Sequence, residues 1–185
     1  MDILQNLDSA AQAMAAVARG VTPDQLQRPT PCTEWNVQQL MNHAIGSFEN
    51  FEGRAAGREV DWSNRPSLTD HGELVERLSR SAAGVAAAWA RPGALDQKTQ
   101  APFGEVTGAF MANITLTELL MHGWDLAKAT GQQLPIDQAI PEEILGGMRQ
   151  NMPEQARQSA FGPEVPASEG APAIDRLAAF LGRKP

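Results

Sequence analysis

One cysteine in 185 residues, Cys32, excludes an internal disulfide and any multi-cysteine metal knuckle. A bound metal would therefore be held mainly by histidine and carboxylate. Histidine is itself scarce: His43, His71 and His122 are all there are. Tyrosine is absent and no stretch sustains a strand's two-residue alternation, which argues against a substantial sheet. No apolar run approaches the roughly 20 residues that span a bilayer. The opening "MDILQNLDSAAQAMAAVARG" is acidic and polar-spaced where a signal peptide is basic and then continuously apolar, so a cytoplasmic protein is expected. Positive charge is short as well. Fifteen Lys and Arg against 22 Asp and Glu leave a net charge of -7, with no basic surface to neutralise a phosphate backbone. Nucleic acid and anionic membrane are excluded as expected partners.

What is present is helical pattern. With 42% hydrophobic residues the chain suits one compact domain over 1–185, with a core bundle over about 1–131 and a C-terminal extension over about 132–185. Ile3, Leu7, Ala11, Met14 and Val17 keep the spacing of an amphipathic helix that stops near Gly20. Thr22, Pro23 and Gln25 can cap one short turn, after which Pro29 and Pro31 enforce a connection. In "WNVQQLMNHAIGSFENF", Asn36 and Gln39 have capping-box spacing, and Trp35 with Leu40 occupies the positions of a hydrophobic staple. Asp70 and Glu73 open a third helix that runs to Trp89, before "RPG". "ALDQKTQAPFGEVTG", with Pro102, reads as a long connection, and a fourth helix spans about Gly108 to Thr130. Shorter helices are expected near Pro141 to Met152 and Ala173 to Leu181. The fold class is all-α: a four-helix bundle with additional C-terminal helices and irregular segments.

Chemistry concentrates on the fourth helix. At 100° per residue Glu118 and His122 lie about 40° apart, and Asp125 returns to about 20° on the other side of Glu118. They form a polar ladder on a helix that is otherwise apolar nearly all round. Each such group, buried and unpartnered, costs several kcal/mol. A divalent cation would compensate them, with a third ligand from a facing helix; His43, on the flank of the second helix's stripe, is the candidate. A buried histidine–carboxylate pair without metal fits the same spacing, and His43 alone could be a histidine bonded to a backbone carbonyl. Asp125 could hold the non-metal nitrogen of a ligand histidine, or pair with Lys128 or an arginine from another helix. Cys32 and Trp35 read as packing residues, Trp124 as core or pocket wall, and Met41, Met111 and Met121 as core. His71 needs no more than an exposed or capping role. A di-iron centre needs carboxylates and paired Glu-x-x-His motifs that do not occur here.

"RPTPCTEWNVQQLMNHAIG" and "ELLMHGWDLAKATGQ" together resemble the N-terminal domain of mycothiol-dependent maleylpyruvate isomerase and its relatives in the DinB/YfiT-like superfamily. "AFGPEVP" followed by "APAIDRLAAFLGR" is similar to the tail of an actinobacterial subfamily of metal-binding proteins. The resemblance implies a DinB-like bundle in which His43, Glu118 and His122 hold one divalent metal, zinc before nickel or iron. It also implies that mycothiol or another small thiol is activated at an open coordination position and adds to an electrophile. The isomerase itself is a longer, two-domain protein, so the expectation here is a thiol transferase or isomerase-like enzyme with an unidentified electrophile. A non-enzymatic metal- or ligand-binding bundle and a water-activating hydrolase remain as alternatives.

Overall fold

The computed structural model describes residues 2–63, 65–101, 104–152, 157 and 161–185, with the side chains of 100 and 101 outside the description. The chain divides into two compact units, Met1–Leu134 and Pro135–Pro185.

The first unit is built on four helices: α1 (Ile3–Arg19), α2 (Val37–Ala55), α3 (His71–Trp89) and α4 (Gly108–Thr130). Each N-terminus carries a side-chain cap that satisfies an orphan backbone N–H. Asp2 accepts from Leu4, Asp70 from Glu73 and Thr107 from Phe110. Asn36 and Gln39 exchange both bonds of the capping box, at 2.9 and 3.0 Å. At the far end of α4 the chain must turn left-handed, and Gly131 does so at φ 72° without a Cβ penalty. Helix α1 packs on α3 and α4, and α2 packs on the same two, so α1 and α2 face each other across a diagonal. Leu7, Met14, Leu40, Ile45, Phe48, Leu74, Leu78, Trp89, Leu116 and Leu119 fill the space between them.

The sequence and the structure differ in the connections. Thr22 to Gln25 closes as a 3-10 turn with its capping box formed, as the residues suggest. His71, expected to be exposed or capping, instead lies with Nε2 2.8 Å from the Val21 carbonyl and ties that turn to the start of α3. The stretch read as a plain connection contains a small antiparallel hairpin, β1 (Lys98–Ala101) and β2 (Gly104–Thr107), crossed by a Lys98–Glu105 ion pair of 2.9 Å. Four-residue strands on a polar surface are too short to show alternation, which is why sequence pattern missed them. Pro102 lies outside the described residues.

In the second unit α5 (Ala139–Asn151) packs on α6 (Ala173–Phe180), within a residue or two of the expected bounds. Arg157 stacks over the Phe180 ring at 4.2 Å and donates to the Phe180 carbonyl at 2.9 Å. Among the described residues no helix is long and apolar enough to cross a membrane.

Candidate metal centre

The site forms where α2 meets α4. Helix α2 buries Leu40, Met41, Ala44 and Ile45, and that fixed rotation leaves His43 at the edge, turned toward α4 and half-buried. On α4 the side chains at 118, 122 and 125 fall on one stripe. Burial rises along it, from a Glu118 side chain 30% exposed to His122 at 6% and Asp125 at 0%.

Three donor atoms converge. His43 Nε2 stands 3.2 Å from His122 Nε2, which is 3.1 Å from Glu118 Oε2. The set lies mutually within 4.8 Å. Two ligand atoms each about 2.1 Å from a shared tetrahedral centre stand roughly 3.4 Å apart, so the two shorter spacings are close to a coordination edge. The rings meet edge-on, with centroids 4.8 Å apart and planes at 82°, which lets both Nε2 atoms point to one place. Ser47, one turn after His43, adds its Oγ at 3.5 Å from the same Nε2.

The inner nitrogen of His122 also has a charged neighbour. His122 Nδ1 faces Asp125 Oδ2 at 3.4 Å, an ion-pair distance at which the N–H is not aligned into a hydrogen bond. Nε2 is the nitrogen presented to the cluster, and the Asp125 carboxylate stands behind the ring as a negative charge. Asp125 thus sits behind His122, one of the places sequence spacing suggests for it. Lys128, the partner in another option, holds its ammonium 5.2 Å from the Trp124 ring centre.

Electrostatics split the two histidines. Burial pushes His43 down to about 4, helped by the positive charge at His122 and by Arg65, against the opposing pull of Glu118 and Asp125. Burial would lower His122 too, but the Glu118 and Asp125 carboxylates outweigh it and raise its pKa to about 9. Near neutral pH His122 is therefore an imidazolium, with its Nε2–H between the Glu118 carboxylate and the bare Nε2 of His43. One positive charge already occupies the centre of the cluster. A divalent cation could take its place once the Glu118 carboxylate and the His43 ring close toward each other, because two atoms each about 2.1 Å from one centre stand at most about 4.2 Å apart and the set spans up to 4.8 Å.

Sequence pattern missed one member of this surround. Trp35 was assigned to a staple, yet its indole stacks on the His43 ring, with centroids 4.0 Å apart and planes at 26°. Its backbone N–H donates to the Cys32 carbonyl at 3.0 Å, and Thr30 Oγ donates to the carbonyls of both Cys32 and Trp35. The proline-bounded turn is thus a mount for the tryptophan. No helical period links positions 35 and 43, so only the turn's closure brings them together. Met41, Met111 and Met121 are core residues at 0%, 3% and 2% exposure, and Trp124 is core at 2%.

Comparison with known proteins agrees with the motifs. The family model of the mycothiol maleylpyruvate isomerase N-terminal domain matches residues 7–127, which include every residue of the cluster. Two uncharacterized proteins of Mycobacterium tuberculosis, from strains CDC 1551 / Oshkosh and ATCC 25618 / H37Rv, are each 36% identical over 185 residues. Each alignment covers 99% of this chain and 98% of the relative. No solved structure matches.

Proposed function

The chain belongs to the family of the mycothiol maleylpyruvate isomerase N-terminal domain, and on that footing we propose a mononuclear metal-dependent enzyme that activates a small thiol such as mycothiol for transfer to an electrophile. His43, Glu118 and His122 are the metal ligands. The observation that carries this is the convergence of two imidazole Nε2 atoms and a carboxylate oxygen, from two different helices, within 4.8 Å. Zinc suits an N2O donor set on a rigid pair of helices, and three protein ligands leave one position for a ligand from outside.

A bound dication would supply the lowering of the thiol pKa that yields a thiolate near neutral pH. The chain's own residues do the rest. The Asp125 carboxylate, 3.4 Å behind Nδ1, favours the charged or metal-bound form of the His122 ring electrostatically. Trp35 covers one face of the His43 ring and keeps water from it. Ser47 Oγ lies 3.5 Å from His43 Nε2 and can donate or accept a hydrogen bond at that edge of the site. The partners are the thiol and an electrophilic small molecule, and a cytoplasmic setting, where small thiols stay reduced, suits the chemistry.

Metal analysis of protein purified without a nickel column tests the ligand set. About one equivalent of metal is expected in the wild type and loss of most of it in His122→Ala; unchanged content in the variant rejects the triad. Titration of the loaded protein with mycothiol, followed by calorimetry, then tests the thiol.

A further inference from the structure

A serine or threonine hydroxyl inside a helix can bond back to the carbonyl four residues earlier. On α4 those of Thr115, Thr117 and Thr130 do so, at 2.9, 3.0 and 2.7 Å. Ser47, inside α2, does not. Its one hydrogen-bond partner among the described residues is His43 Nε2, at 3.5 Å from Oγ. That is long for a bond made by a hydroxyl. The nitrogen is also in use already, since a ring nitrogen carries one lone pair or one proton and His122 Nε2 stands nearer, at 3.2 Å. The Ser47 hydroxyl is thus held against the cluster with no good partner inside it.

Burial places this hydroxyl at the opening of the site. From Leu40 to Phe48 every residue of α2 is buried except His43 and Ser47, and from Thr115 to Ala127 every residue of α4 is buried except Glu118. His43 and Ser47 are one turn apart along α2. A molecule that reaches the cluster from solvent past these two helices therefore meets His43, Glu118 and Ser47 together. Two of the three are the ligands named above. Once the His43 lone pair is engaged by a metal, that nitrogen neither donates nor accepts a hydrogen bond, and the Ser47 O–H is left to turn to whatever occupies the open position. The hydroxyl is itself a poor occupant of that position, because protein zinc is held by thiolate, imidazole and carboxylate.

We propose that Ser47 is a thiol-binding residue, its hydroxyl donating a hydrogen bond to the anionic sulfur of the small thiol held at the His43–Glu118–His122 site. The inference rests on the metal and thiol reading given above. A hydrogen bond to a charged acceptor is stronger than one between neutral groups, so the contact favours the thiolate over the neutral thiol and fixes the side on which the sulfur is held.

The test uses the full chain loaded with Co2+, whose sulfur-to-metal absorption reports a bound thiolate, and 2-mercaptoethanol as the probe. Ser47→Ala should weaken 2-mercaptoethanol binding about tenfold, the size of one hydrogen bond to a charged group. It should also move the sulfur-to-metal band to lower energy, since a sulfur relieved of its hydrogen bond gives up electron density more readily. Ser47→Thr keeps the hydroxyl and should restore both the affinity and the band. Alanine is the better helix former, so Ser47→Ala should fold and match the wild type in Co2+ content and in its thiol-free spectrum. Equal thiol affinity or an unmoved band in Ser47→Ala, or no restoration in Ser47→Thr, overturns the proposal while leaving the metal and thiol reading standing. A changed thiol-free spectrum in Ser47→Ala means that the hydroxyl binds the metal, and overturns it as well. Wild-type protein that takes up no Co2+, or takes it up and gives no sulfur band, overturns the reading of the site and this inference with it.

Discussion

Loading the metal should expel one proton, and that proton should come from His122. Glu118 and Asp125 hold this imidazole at about 9 against its burial. At pH 7.5, a group with pKa near 9 is roughly 97% protonated, so uptake by the three donors must release about one proton per metal. His43, lowered to about 4, contributes none. Apparent affinity should then rise about tenfold per pH unit from pH 7 toward 9 and level off above it. At pH 7 the proton costs binding about 3 kcal/mol, from two pH units at about 1.4 kcal/mol each. The metal-free protein should show the linked effect. A folded pKa above the unfolded value means that the His122 contribution to stability is intact below about 6.5 and lost as pH rises through 9. His43 has the opposite sign, and its contribution is lost as pH falls from 6.5 through 4. Isothermal titration of Zn2+ at pH 7.5, in two buffers of different ionisation enthalpy, counts the protons directly. Stoichiometric metal binding with no proton released, or an affinity flat between pH 7 and 8, would refute the assignment of His122 Nε2 as both proton carrier and ligand.

The remaining predictions concern the surround. Asp125→Asn keeps the shape but removes the charge behind His122. It should weaken metal binding about 10- to 100-fold in chelator competition and lower the pH at which the affinity plateau begins; an unchanged plateau would mean that Asp125 does not tune the ring. Trp35→Ala should cost about 0.5–1.5 kcal/mol through the lost stack, measured by urea unfolding, whereas Trp35→Phe should recover most of the metal affinity that Trp35→Ala loses. Equal affinity in both variants would show that the indole only closes the turn.

Much of the architecture was legible because it rests on local rules. The capping residues Asn36, Asp70 and Gly131 mark helix boundaries whatever the helices later pack against, and the start of α2 and both ends of α3 and α4 fall close to where the pattern puts them. The ladder at 118, 122 and 125 was legible for the same reason, since angle around a helix follows from residue count alone. His43 as third partner needed more, a scarcity of histidines and a resemblance that covers most of the chain.

Tertiary structure decided what depends on contacts between segments without a common period. The hairpin over 98–107 forms from strands too short to carry a pattern. The stacking of Trp35 on His43, the His71 contact to Val21 and the hydrogen bond from the Leu68 N–H to Asn42 all join a loop to a helix, and nothing in their spacing encodes the meeting. The division of the two histidines into one charged and one neutral ring also belongs to the folded state. It arises from burial and from which carboxylates stand nearest, and both exist only once α2 and α4 are packed. By itself, then, the sequence determined that a helix would carry a carboxylate and an imidazole on one buried stripe. Packing decided that a second imidazole would meet them at 3.2 Å, because only the bundle brings chain segments 79 residues apart into one low-dielectric place.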